Sequence, residues 1–498
     1  MNRSDLGRRL FWPAAIAGTE AVYVWSFLRP YGLLDHYATP SLDLGKLGGY
    51  SMEAGRGFLA AMALLFVFYA VAYRRSSSPG AAPLAWIVGG GLLFAVTAAA
   101  VYPIGAADVF DNIFYGRMAA HYGANPLLTA PNAYPKDPLY FHVAWYWWPI
   151  PYGPLWAGVD ALLSKLTSGD LLAGLLAFKA LNVALYLACA GLLAGLLRRL
   201  RPGYVAAGLL LFAWNPLVIL EGMASVHNDL ALMALVLAAV LLLARGNALW
   251  GMAALLASVL VKFVSLPLIP VFLIAGWRGT ASRCRFVLGA AALLLAAAAA
   301  LYVPYMAEGD TLESLALRPF RQADLFTTSI PALISFVMEK HWEQPAVQSL
   351  VRRAAMGGWA LYVAWETWRL WRRRPGETGR SPAGAFAAAG YRILLYFLLF
   401  ACLWFQPWYL VWLLALAPLL GPGADAGILI VFSALVQVKY FIFDFAWAWE
   451  TRMVDILAPE AATTVLIFGP MLALLAWRVW QVRRAARQEV PGTWKEVR

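Results

Sequence analysis

The sequence specifies an all-α, polytopic membrane protein, and three observations carry that expectation. Of its 498 residues, 62% are hydrophobic and 13% charged, against about 25% charged in an average soluble domain. Apolar runs long enough to cross a bilayer recur from one end to the other, with a mean hydropathy of +0.66. The arginines fall mostly at the ends of those runs, where they set topology. The formal charge of +12 is therefore no nucleic-acid signature.

The runs predict spans near 10–29, 56–73, 84–103, 171–197, 204–221, 229–245, 248–262, 265–277, 283–304, 354–371, 390–405, 407–421, 425–443 and 462–480. This is a bundle of about 12–14 transmembrane helices. The first follows Arg3, Arg8 and Arg9 like a signal peptide, but no small-residue cleavage site follows it. It reads as a retained signal anchor. The second ends on Arg74-Arg75, and the third opens into a polar, proline-rich loop over 104–152. The fourth closes on Arg198, Arg199 and Arg201, and the fifth contains Trp214-Asn215-Pro216. The sixth starts at Asp229 and ends on Arg245. Lys262 and Pro267 mark the junction of the next two, which end at Arg278. The alanine/leucine run 289–301 suits a lipid-facing or close-packed helix. After 354–371 comes a basic segment, and Pro375 to Pro382 forms a polar linker that divides residues 1–374 from 383–498. Gln406-Pro407 interrupts the rear module, which ends in a basic tail.

With both termini cytoplasmic, these basic clusters all fall inside, as the positive-inside rule requires. Tyr152 to Leu166 must then be a half-span or surface helix. The 104–152 loop, the Glu221–Asp229 turn, the 305–352 loop, the Phe405–Tyr409 turn and the 444–461 loop share the extracytoplasmic face. Ordered outer loops with short surface helices are expected there. Cys189, Cys284 and Cys402 lie in or beside apolar runs at no metal-ligand spacing, so they read as small buried hydrophobes.

The 104–152 loop holds the densest chemistry. Its acids stand in Ala107-Asp108-Val109-Phe110-Asp111, and on a helix Asp108 and Asp111 share a face, with Tyr115 and Arg117 further along it. Just beyond a span, a carboxylate meets both lipid head groups and water and suits a general base for an acceptor hydroxyl. The same pair serves equally as a solvated helix cap. Glu221 and His227-Asn228-Asp229 form a second cluster at the turn between two spans, where ionisable groups usually face a cavity or a partner. They are candidates for sugar binding. A divalent cation stays open, without HExxH-like spacing to support it. Lys262, Arg318 and Arg321 suit an anionic lipid head group, as snorkelling or solvated cations also would be placed. Lys439 and Asp444 can pair with each other, and Gln406, Trp408 and their neighbours suit an interfacial aromatic belt.

Taken in order, these phrases resemble the GT-C glycosyltransferases. They include an acid after an early span, Gly116-Arg117, Gly123-Ala124-Asn125-Pro126 and Pro151-Tyr152-Gly153-Pro154-Leu155-Trp156. Trp214-Asn215-Pro216-Leu217-Val218 with Glu221 and His227-Asn228-Asp229, then Gln406-Pro407-Trp408-Tyr409, extend the likeness over about 105–445. Within that group it resembles the polyprenol-phosphate-mannose-dependent α-(1→6)-mannosyltransferases of bacterial lipoglycan assembly. Asn125-Pro126-Leu127 departs from the commoner Asn-Pro-Tyr, which bears on sugar or acceptor preference.

The resemblance implies an inverting transfer from a polyprenyl-phosphate sugar, mannose or another hexose or pentose, to a glycan or glycolipid acceptor. The site would lie at the extracytoplasmic face of the plasma (inner) membrane. Asp108 takes the place of the base, with Asp111 in support. Glu221 and Asp229 match the second acidic turn, and with His227, Asn228, Tyr152, Gln406 and Trp408 are expected around acceptor or donor sugar. Lys262, Arg318, Arg321 and Arg117 are the candidates for the lipid phosphate. A fixed positive charge suits a phosphate leaving group. The alternatives are a secondary transporter, which calls for inverted repeats and midplane charges absent from the sequence, and a lipid-linked glycan flippase or ligase. No Walker loop, dinucleotide fingerprint or GxSxG phrase occurs, and the partners expected are lipid and sugar with no nucleic acid.

Overall fold

In a computed structural model of the chain, residues 3–40, 42–77, 84–306, 325–373, 380–447 and 457–488 are described. Helices make up every regular element among them, beside two isolated bridges, Gly32 with Val101 and Thr327 with Trp404. The protein is an all-α polytopic membrane protein. Six described helices are long and apolar enough to cross a bilayer: Met52–Ser76, Leu171–Leu200, Arg283–Tyr305, Pro382–Ala401, Ala426–Trp447 and Leu457–Gln481. Pro202–Ala213 and Pro216–Ala224, bent by 52°, make a seventh if taken as one span. Shorter apolar helices include Leu84–Ala99, Asp229–Ala244, Ala248–Val261, Phe263–Gly279 and Pro407–Leu420.

The expected 354–371 span is the distal part of a longer helix, Gln344–Arg372. Glu366 and Arg369, together with weakly apolar tryptophans, keep that helix out of the most apolar set. Pro154–Leu166 has 13 residues, so it is about 20 Å long and short of the ~30 Å hydrocarbon core.

The 204–221 segment is not one helix, for local reasons. Pro216 lacks an N–H and starts a new helix at little cost, while the Asn215 side chain accepts from the Leu217 N–H at 3.0 Å. Asn215 Nδ2 donates to Ser433 Oγ at 3.0 Å and Tyr69 Oη at 3.2 Å, so this buried amide is satisfied. The second half-helix ends in a π-helical turn, Leu220–Ala224. Such a turn inserts a residue and rotates the chain beyond it, a device common at functional sites.

Two hydrophobic clusters carry the packing. The larger runs through the bundle from Trp12 to Met471, and the second gathers Val109, Phe110, Phe114, Trp156, Phe178 and Tyr305. That second cluster seats the helix Asp108–Tyr122 of the 104–152 loop against Pro154–Leu166. Gly116 is where the two backbones meet, because a Cβ there would run into the Asp160 carbonyl. Gly116→Ala is expected to cost about 1–3 kcal/mol by overpacking. A lowered melting temperature in detergent, with turnover falling in parallel, is the measurement that checks it.

Candidate active site

Asp108 is the first residue of its helix and Asp111 lies one turn on, where carboxylates meet the positive end of the helix dipole. Their surroundings differ. The Asp108 side chain is 18% exposed and lines a cavity; its Oδ2 accepts from Tyr152 Oη at 3.1 Å. Asp111 is buried, and its Oδ1 accepts the backbone N–H groups of Ala144 and Trp145, both at 2.9 Å. It therefore pins the aromatic segment of the loop against the helix. Burial, and after it the neighbouring Asp108 carboxylate, push Asp111 well above the ordinary carboxylate range; the two backbone N–H bonds pull less strongly the other way. Asp111 thus binds its proton more tightly than an ordinary carboxylate and serves to hold the loop.

The Glu221–Asp229 turn comes against Asp108 from the other side. His227 Nδ1 stands 3.8 Å from Asp108 Oδ2, and its Nε2 stands 3.4 Å from Glu221 Oε2. Trp408 stacks on the imidazole with ring centroids 3.7 Å apart. Tyr440 Oη donates to Glu221 Oε1 at 2.7 Å. The result is an acid–imidazole–acid row, clamped by the aromatic residues Trp408 and Tyr440 from late in the sequence. Val226, just before His227, has φ +63°, a conformation that costs a β-branched residue about 1–3 kcal/mol. The surrounding contacts must supply that strain.

Lys262 caps the Ala248–Val261 helix in extended conformation. Its Nζ lies 2.9 Å from both Asp229 oxygens and 3.4 Å from Asn228 Oδ1. Trp412 Nε1 also donates to Asp229, at 2.5 Å. The ammonium stands within 5.7 Å of the Tyr152, Tyr409 and Trp412 ring centroids, so cation–π attraction holds it as well. Lys439 does not pair with Asp444 as the sequence suggested. It donates to Phe405 O and Gln406 Oε1, both at 2.9 Å, because the break at Gln406-Pro407 leaves that carbonyl outside a helix.

The cavity has a volume of about 700 Å³. Asp108, Asn112, Tyr152, Lys262 and Gln406 supply polar lining, and Leu266, Met356, Trp359, Phe397 and Leu403 supply apolar lining. Trp408 and Asp111 also line it. Glu221, His227, Asn228 and Asp229 stand behind these residues, buried and touching Asp108, Lys262 and Trp408. Arg117 is not brought to the cavity. Its Nε pairs with Asp137 at 2.5 Å and its Nη1 donates to the Gly169 carbonyl, which fastens the loop to the end of the Pro154–Leu166 helix. Arg318 and Arg321 lie outside the described residues. Among the described residues no three His, Cys, Asp or Glu side chains are grouped as metal ligands.

Sequence reasoning missed Tyr440, Trp412 and Asn112. Asn112 carried a signal, a polar residue beside the two acids. Tyr440 and Trp412 had none, since aromatic residues in apolar runs are ordinary.

Residues 40–278 match the family described as alpha-(1->6)-mannopyranosyltransferase, N-terminal domain. No curated protein is similar enough to the chain to serve as a relative. The matched stretch contains Asp108, Asp111, Glu221, His227, Asp229 and Lys262, while Gln406, Trp408, Trp412 and Tyr440 reach the same place from beyond it. Over residues 40–278, just under half of its length, the chain is similar to this family of mannosyltransferases, which supports a membrane glycosyltransferase.

Proposed function

We propose that the protein transfers mannose from a polyprenyl-phosphate donor to a hydroxyl of a glycan or glycolipid acceptor at the extracytoplasmic face of the plasma (inner) membrane. Asp108 takes the proton of the attacking hydroxyl. The acceptor oxygen bonds to C1 of the sugar as the bond from C1 to the phosphate oxygen breaks, and polyprenyl phosphate leaves with that electron pair. A single displacement of this kind inverts the configuration at C1. The observation that carries the reading is the contrast among the carboxylates: Asp108 reaches the cavity with its side chain 18% exposed, whereas Asp111, Glu221 and Asp229 are 3% exposed or less.

Tyr152 and His227 steady Asp108 in this scheme, and Lys262 places a positive charge where phosphate would gain negative charge. The apolar lining from Leu266, Met356, Trp359 and Phe397 suits the first units of a prenyl chain. The basic residues at the opposite ends of the apolar runs support the sidedness.

Purified protein in vesicles, offered polyprenyl-phosphate mannose and an oligosaccharide acceptor, is expected to form a mannosylated product with inverted configuration, read by nuclear magnetic resonance. Transfer from a nucleotide sugar instead would overturn the donor assignment. Solute movement across the vesicles without any transfer would favour a transporter.

A further inference from the structure

The turn that carries Glu221 and His227 is irregular at both ends and is held from outside itself. Its π-helical residues Leu220–Ala224 end a half-helix, and Val226 follows with φ +63°. The carbonyls freed there are collected by two residues three apart on the helix Leu171–Leu200. Lys179 Nζ donates to Val101 O at 2.7 Å, Ala224 O at 3.0 Å and Met223 O at 3.1 Å. Asn182 Nδ2 donates to Gly222 O at 2.8 Å and His227 O at 3.1 Å. Lys179 is 2% exposed and Asn182 1%.

An ammonium buried in a bundle core is costly, and this one faces three neutral carbonyls. A methionine of similar length would pack there without that cost, so packing alone does not account for a lysine. What the lysine adds is three donors radiating to fixed points. One is Val101, at the start of the segment leading to Asp108; the others end the half-helix that presents Glu221. Asn182 grips the turn on both sides of Val226.

We propose that Lys179 and Asn182 are positioning residues for sugar transfer: through five hydrogen bonds they fix His227 and Glu221 against Asp108. This rests on the assignment of Asp108 as the base. Neither residue lines the cavity, so both act through the turn.

The test measures turnover and donor KM for Lys179→Met and Asn182→Ala in the intact chain, each in the wild-type and the His227→Ala background. A misplacement of about 1 Å costs about 100-fold. Lys179→Met is therefore expected to lose turnover on that scale with donor KM nearly unchanged, and to alter the pH profile of turnover. In the His227→Ala background the same substitution is expected to add little, because the group it positions is gone. An equal loss in both backgrounds shows a general structural role and overturns the proposal, as does full turnover in Lys179→Met. If Lys179→Met does not accumulate in the membrane, Asn182→Ala is read by the same criteria. Wild-type turnover in Asp108→Asn defeats the base assignment on which this inference rests. A silent Lys179→Met beside an inactive Asp108→Asn defeats only this inference.

Discussion

Asp108→Asn is expected to lower transfer turnover by about 10²–10⁴-fold, the range that general-base catalysis supplies, with donor KM nearly unchanged. The substitution keeps the shape of the side chain and an oxygen for the Tyr152 hydroxyl, now 3.1 Å away. It removes the capacity to take the acceptor's proton. Asp111→Asn is the control. Its amide oxygen can still accept the Ala144 and Trp145 N–H groups, so the contact that holds the loop survives. Turnover in Asp111→Asn is expected within about tenfold of wild type, the smaller effect of a repositioned support. Full turnover in Asp108→Asn would remove it from the base role.

The same pair differs in stability against pH. The folded chain raises Asp111 above its ordinary value of 3.8, so the folded state holds this proton more tightly than the unfolded chain does. The stability that the group contributes is present below the unfolded value and is lost as pH rises through the raised one. Melting of the wild type is therefore expected to fall towards alkaline pH more steeply than that of Asp111→Asn. Equal slopes in the two proteins would show that Asp111 does not hold its proton there.

The bundle was legible because lipid imposes a simple rule, that long apolar runs must be helices. The break at Trp214-Asn215-Pro216 was not read from the 204–221 run, although an Asn–Pro step both caps and starts a helix. The π-turn and the left-handed Val226 were not legible, because no local preference asks for either and only tertiary contacts sustain them. Among site candidates, Asp108 and Asp111 stood out together, yet their different surroundings depend on Tyr152, Ala144 and Trp145, which lie far along the loop. Arg117 looked like a phosphate ligand until Asp137, twenty residues on, proved to be its partner. Lys179 went unremarked although a lone lysine in a long apolar run is itself a signal. The stack of Trp408 on His227 and the bond from Tyr440 to Glu221, 219 positions apart, join distant parts of the sequence, and no spacing within it reports such a meeting.

Lys262→Met is expected to lower turnover by about 10²–10³-fold, the usual loss when one preorganised charge-stabilising donor is removed. The same substitution is expected to destabilise the protein by about 3–5 kcal/mol, because it strands one member of a buried ion pair. Asp229 is 1% exposed, and without Lys262 its remaining charge-stabilising contact is the Trp412 N–H. The two losses have different causes and can be separated. Adding Asp229→Asn removes the stranded charge, and the amide oxygen still accepts from Trp412. Lys262→Met/Asp229→Asn is therefore expected to recover most of the lost melting temperature in detergent while its turnover stays low. Lys262 then acts on the leaving phosphate and is more than a counterion to Asp229. Recovery of turnover together with stability would show the reverse: the lysine serves only to neutralise Asp229, and the phosphate needs another cation.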